Sequence, residues 1–135
     1  MKSKSIVCMA FVVVLSSCEF DYSFQIVNLV GDTIHIEISE NYTPIRRDQL
    51  KINPGKTVEI AHHTSGVVAW DYVPEDNYKH FPDKLLPPSA IVEMSIGDRL
   101  MSDSLRCRKY WDFSAKRLHG KYVLRLTEEL IRQIE

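Results

Sequence analysis

Apolar residues recur at every second position from Tyr22 onward, the spacing of strands with one buried face. In YSFQIVNLV, Tyr22, Phe24 and Ile26 share a face, while Val27 and Leu29 make the opposite face partly apolar. In GDTIHIEI, Ile34, Ile36 and Ile38 alternate with His35 and Glu37. Gly31-Asp32 between these runs predicts a two-residue hairpin turn with glycine at its first central position. DQLKI and TVEIA give the next two strands. Between them lies Asn53-Pro54-Gly55-Lys56, where proline presets the first central dihedral of a type II turn and glycine accepts the positive second one. The polar break HHTSG leads into VVAWDYV, whose β-branched and aromatic residues favour a further strand.

Residues 74 to 90 hold four of the six prolines and no sustained period, which predicts a long ordered loop or a crossover between sheets. Strands follow at IVEMSI, RLMSDSLRC, KYWDFSAKR and KYVLRL, with turns at Gly97-Asp98 and His119-Gly120. The period changes in the last nine residues. Thr127 can cap a short helix, Glu128 and Glu129 suit its first turn, and Leu130, Ile131 and Ile134 form one apolar face. Many short strands, tight turns and one terminal helix predict an all-β fold, an antiparallel β-sandwich of immunoglobulin-like size without the paired cysteines of that domain.

The amino terminus follows different rules. Lys2 and Lys4 precede an unbroken apolar run, Ile6 to Leu15, which ends at Leu15-Ser16-Ser17-Cys18. A membrane-spanning helix needs about 20 apolar residues, so the run is too short to span, and its three-part order is that of an export signal. Leu15-Ser16-Ser17-Cys18 resembles the lipobox of bacterial lipoproteins, in which the cysteine becomes the acylated first residue of the mature protein. With its compact β domain, Pro-Gly turn and YVLRL ending, the chain is similar to the small lipoproteins of the Bacteroidota.

The resemblance implies a signal peptide over residues 1–17, a lipidated tether over 18–21 and a single sandwich domain over 22–135. It also implies attachment of Cys18 to a lipid membrane of the bacterial envelope, at the outer membrane, on its periplasmic or its outward face. Glu19 and Asp21 resemble the acidic surface-export signals of that group, and Asp32-Thr33-Ile34 and Asp103-Ser104-Leu105 are similar to its Asp-Ser/Thr-apolar O-glycosylation motif.

Removing the leader takes Lys2 and Lys4 out of 17 basic side chains set against 18 acidic ones, leaving a net charge of −3. That balance argues against nucleic acid or anionic lipid as partners, because both demand a concentrated positive surface. Of three cysteines, Cys8 leaves with the leader and Cys18 carries lipid, so Cys107 stands alone and no internal disulfide forms. Arg106 and Arg108 can activate its thiol, but alternation in SLRCRKY favours an inward, buried Cys107.

His62-His63, with Asp71, Glu75 or His80, is the one candidate metal set, yet adjacent strand residues point to opposite faces, so no metal and no cofactor are expected. Glu75, Asp76 and Asp83 lie on the proline-rich loop, whose course fixes no catalytic pairing, and the familiar nucleophile-elbow, phosphate-loop and zinc-helix motifs are missing from the sequence. Aromatic residues give the stronger signal. Trp70, Tyr72, Tyr78 and Phe81 lead into and populate the loop, and Tyr110, Trp111 and Phe113 gather on a later strand. Trp70 and Trp111 read as core fillers, whereas Tyr78 and Phe81 divide between surface contact and loop packing. Two expectations follow: a non-enzymatic, membrane-anchored module that binds an envelope protein or serves an envelope assembly, or a glycan-binding accessory protein using Trp70, Tyr72, Tyr78 or Phe81.

Overall fold

The computed structural model describes residues 19–38, 49–67, 75–79 and 91–135. Their strands are β1 (Glu19–Asn28), β2 (Ile34–Ile38), β3 (Gln49–Ile52), β4 (Thr57–Val67), β5 (Ile91–Ile96), β6 (Arg99–Leu100), β7 (Trp111–Lys116) and β8 (His119–Leu126), followed by helix α1 (Glu128–Ile134). One sheet has the order β4-β1-β8-β7 and the other β3-β2-β5-β6, and their inner faces share one continuous core. The predicted all-β sandwich is the observed architecture. One pairing among the described strands is parallel: β1 lies beside β8, with Asp21 opposite His119 and Asn28 opposite Leu126. A parallel pair needs a long crossover, and here most of the domain separates the two strands along the chain.

Alternation does in space what it promised in sequence. Tyr22, Phe24 and Ile26 on β1, Ile34, Ile36 and Ile38 on β2, and Tyr122, Leu124 and Leu126 on β8 are buried. Rings fill one end of this core. Phe24 stacks on Tyr122 with centroids 4.8 Å apart and planes 8° from parallel, and Phe113 packs on the same Tyr122 ring at 4.8 Å. Each such pair adds about 0.5–1.5 kcal/mol beyond its buried area. The terminal helix forms as expected, with the Thr127 hydroxyl accepting from the Leu130 N–H at 3.1 Å and Ile131 buried.

Several local expectations are corrected. Gly31-Asp32 is not a hairpin turn, because β1 and β2 belong to different sheets and residues 29–33 carry the chain across. The corner is organised by Asn28, which is fully buried at the inward end of β1. Its Nδ2 donates to the carbonyls of Asp32 at 2.8 Å and Ile52 at 2.7 Å, while its Oδ1 accepts from the Val30 N–H at 2.9 Å. The Pro54-Gly55 turn forms as predicted, with Gly55 at φ +77° and the Lys56 N–H donating to the Asn53 carbonyl at 3.0 Å.

Gly97-Asp98 likewise turns β5 into β6, with Gly97 at φ +55°. The last hairpin, however, turns at Arg117-Leu118, and Arg117 takes the positive φ of 54°. Gly120 lies within β8 for a packing reason: a Cβ there would come within 2.7 Å of the Tyr22 ring and 3.0 Å of Phe113. RLMSDSLRC and the start of KYWDFSAKR do not extend as strands. After Leu100 the chain forms 3-10 turns at Asp103–Arg106 and Arg108–Tyr110, which place Cys107 between them, half-buried, instead of on an inward strand position. β1 begins at Glu19, with Phe20 buried and Asp21 paired with both neighbouring strands.

Candidate functional site

The densest polar constellation among the described residues gathers around Asp76, on the short segment 75–79 that packs against the ring-filled end of the core. Three separate parts of the chain meet there. Tyr122 on β8 donates its hydroxyl to Asp76 Oδ1 at 2.8 Å, and the Tyr78 N–H donates to the same oxygen at 3.1 Å. Arg108, the first residue of the second 3-10 turn, donates from Nε to Oδ2 at 3.0 Å, and its Nη2 reaches the same oxygen. Its Nη1 donates to the Trp111 carbonyl, and the guanidinium lies 5.4 Å from the centre of the Tyr122 ring. Trp111 is held in turn by its indole N–H, which donates to the Leu105 carbonyl at 2.8 Å. Beside this set, Asn77 donates to the Tyr22 hydroxyl at 2.7 Å, and that hydroxyl donates to the Glu75 carbonyl at 3.3 Å.

The electrostatics follow from the contacts. Burial pushes the Asp76 carboxyl up, but hydrogen bonds from Arg108, Tyr122 and the Tyr78 N–H, with the Arg108 charge, outweigh it and hold the group below its usual range. Burial and the bonded Asp76 carboxylate push the Tyr122 phenol up, well above the usual tyrosine range. At neutral pH the carboxylate is therefore charged, the phenol is protonated, and neither is poised to exchange its proton. The arrangement fastens segment 75–79 to the sheet.

The sequence candidates fare unequally. Tyr78 is buried, with its ring edge-on to Tyr22 at 5.4 Å and to Phe24 at 5.6 Å, so of its two readings it takes loop packing. Trp111 is a core filler, 1% exposed. Cys18, Trp70, Asp71, Tyr72, His80, Phe81 and Asp83 lie outside the described residues. Of the two glycosylation-like motifs, Thr33 donates to Asn53 Oδ1 at 3.3 Å, and Ser104 bonds Ser102 at 3.0 Å.

Sequence reasoning picked out Asp76 only as one acid among three, named Arg108 only as a neighbour of Cys107, and passed over Tyr122 and Asn28. For Asn28 a signal existed: it continues the inward series 22, 24, 26, where an amide must find partners inside the protein. Arg108 gave no such signal, since its partner lies 32 residues away.

Other clusters sit on the outer faces. Asp21, on β1, is flanked by His62 Nε2 at 3.4 Å and His119 Nδ1 at 3.3 Å, and accepts from the Thr64 hydroxyl at 3.2 Å. The partners of His62 are therefore carboxylates: Asp21 on the next strand and, at 3.6 Å from Nδ1, Glu59 on its own. Among the described residues no group of three His, Cys, Asp or Glu side chains is arranged to hold a metal ion.

On the second sheet, His35, Glu37, Glu93 and Ser95 line an open concavity of about 330 Å³. Two exposed apolar side chains stand near it: Leu100, the register partner of Ser95, and Val92, the extra residue of a bulge between Ile91 and Glu93. A second cleft, of about 300 Å³, has Val30, Met101 and Ile131 among its lining, with Asp32, Asp98, Arg99 and Glu128. Among the described residues no helix is long and apolar enough to cross a membrane. Comparison with family models, curated proteins and solved structures found no match.

Proposed function

We propose that this chain is a non-enzymatic envelope lipoprotein, held to the membrane by acylated Cys18, whose β-sandwich binds a partner protein as an accessory module. One observation carries the reading: β1 starts at Glu19, so the folded domain begins one residue after the cysteine of the lipobox-like Leu15-Ser16-Ser17-Cys18. An export leader that gives way directly to a strand at the centre of a sheet suits a domain carried close to its anchor.

The second-sheet surface supports the partner half of the reading. Val92 and Leu100, 52% and 63% exposed, stand at the margin of a concavity whose His35, Glu37, Glu93 and Ser95 supply polar groups. Exposed apolar side chains beside polar ones are the composition of a protein contact. The glycan reading has less support, because one of its four rings, Tyr78, packs inside.

Two measurements test the proposal. Intact mass of cell-derived protein is expected to show a chain starting at Cys18 with acyl chains attached. A photoreactive residue at Val92 or Leu100, cross-linked in intact cells, is expected to give a discrete protein adduct that the same residue at Glu59, on the other sheet, does not. A chain that retains Met1 and a free Cys18 thiol refutes the anchor, and equal yields at all three positions refute the binding face.

A further inference from the structure

Residues 113–127, FSAKRLHGKYVLRLT, contain four Lys or Arg side chains and no carboxylate, in a protein that is acidic overall. The fold turns that stretch into the β7–β8 hairpin and sets its tip beside the start of β1. The parallel register puts His119 level with Asp21, and the Asp21 N–H donates to the Leu118 carbonyl at 2.9 Å. Neighbouring strands lie about 5 Å apart, so the tip and the first residues of β1 occupy one end of the sandwich. Lys116, Arg117 and Lys121 are exposed there, and among the described side chains none of them has a carboxylate partner. Among the acids whose side chains are described, Asp21 lies level with His119 and is already flanked by His62 and His119 and bonded by Thr64. On segment 75–79, exposed Glu75 and Lys79 offset each other in sign.

We propose that the tip of the β7–β8 hairpin is a membrane-facing surface whose Lys116, Arg117 and Lys121 dock on anionic lipid head groups. The inference rests on the acylation of Cys18 proposed above. Covalent connectivity then holds the start of β1 at the bilayer surface, and the basic tip is the part of the fold beside it. Each Lys or Arg at an anionic surface contributes about fivefold, so three favour the docked orientation by about 100-fold at low salt, with the effect screened as salt rises. The domain therefore stands on the membrane in one orientation, with the opposite end of the sandwich turned away.

The test uses the acylated protein in lipid nanodiscs, with Cys107→Ser and a fluorophore on Ser114→Cys, an exposed β7 position two residues before Lys116. Lipids carrying a head-group nitroxide quench the probe when the tip is docked. Quenching is expected to be strong with phosphatidylglycerol present, weak in pure phosphatidylcholine, and abolished by molar salt. It is also expected to be lost in a Lys116→Glu, Arg117→Glu, Lys121→Glu variant whose urea midpoint is unchanged, and retained in Lys116→Arg, Lys121→Arg. Equal quenching in both lipid mixtures, or its survival after charge reversal, overturns the proposal, as does capture of the tip by an acidic protein in place of lipid. Intact mass separates the two failures. A protein without acyl chains refutes the anchor and the orientation together, whereas an acylated protein without lipid-dependent quenching refutes the orientation alone.

Discussion

Two polar residues, one buried and one half-buried, organise opposite ends of this sandwich, and they solve the same problem with different chemistry. Asn28, at the end of β1, is neutral and wholly buried, and it bonds only to backbone: the carbonyls of Asp32 and Ile52 and the N–H of Val30. Asp76, near the beginning of β1, is charged and 16% exposed at its side chain, and most of its bonds go to the side chains of Arg108 and Tyr122. The amide matches a corner whose groups are two acceptors and one donor, a set that an amide alone complements without charge. The carboxylate matches a junction whose groups are all donors. One end should therefore hold at any pH that leaves the rest folded, and the other should carry the titrating stability.

Asn28→Asp breaks the comparison most severely. It keeps the shape and the bond from the Val30 N–H, but aims a carboxylate oxygen at two carbonyl oxygens from a fully buried position. The expected loss is about 4 kcal/mol at neutral pH, the sum of two lost hydrogen bonds and an uncompensated buried charge. Acid should relieve part of it, since a protonated carboxyl can donate to one carbonyl, so the deficit shrinks toward pH 4. Urea denaturation across pH checks both statements, and a loss under 1 kcal/mol would mean that the corner does not depend on the amide.

Asp76→Ala attacks the other end, with an expected cost of about 3 kcal/mol, because it strands the Arg108 guanidinium, 19% exposed, and the Tyr122 hydroxyl together. Adding Arg108→Ala should cost less than it does alone, with a coupling of about 2 kcal/mol in a double-mutant cycle. Its pH signature runs in the same direction as that of Asn28→Asp, but sets in at lower pH. The carboxyl of Asp76 lies below its ordinary value of 3.8, so its contribution is complete above that pH and is lost as pH falls through the lowered value. Wild type and Asp76→Ala should therefore converge in strong acid. Additive losses, or a deficit constant with pH, would remove the ion pair from the account.

How far the sequence discloses this design depends on the range of each interaction. The period-two pattern exposes the layers because inward and outward positions repeat locally, as in Ile34, Ile36 and Ile38. The Pro54-Gly55 and Gly97-Asp98 turns are legible because their backbone requirement lies within two residues. Sheet membership is not local. Gly31-Asp32 has the composition of a hairpin turn, yet nothing in it tells β2 to leave β1 and join β5, and the corner is held by Asn28 bonding to Ile52, 24 residues on. Gly120 misleads for the same reason: the ring that excludes a side chain there belongs to Tyr22, nearly a hundred residues earlier. The Asp76 junction joins residues separated by 32 and 46 positions, and neither Arg108 nor Tyr122 follows a spacing that names its partner.

Tyr122→Phe gives the smallest and sharpest version of the comparison. The ring, with its stacking on Phe24 and Phe113, stays, and only the hydroxyl that donates to Asp76 Oδ1 is removed. Asp76 keeps Arg108 and the Tyr78 N–H, so the expected cost at neutral pH is about 1 kcal/mol, that of one hydrogen bond to a charged group whose other partners remain. The sign on the alkaline side follows from linkage. The Tyr122 phenol is raised above its ordinary value of 10.0, so its contribution is complete below pH 10 and declines as pH rises beyond it, because the unfolded chain loses the proton first. The gap between wild type and Tyr122→Phe should close above pH 10 and stay constant from pH 5 to 9, whereas Asn28 variants should show no such alkaline convergence. If Tyr122→Phe tracks wild type at every pH, the hydroxyl contributes nothing, and Asp76 is held by Arg108 and the backbone alone.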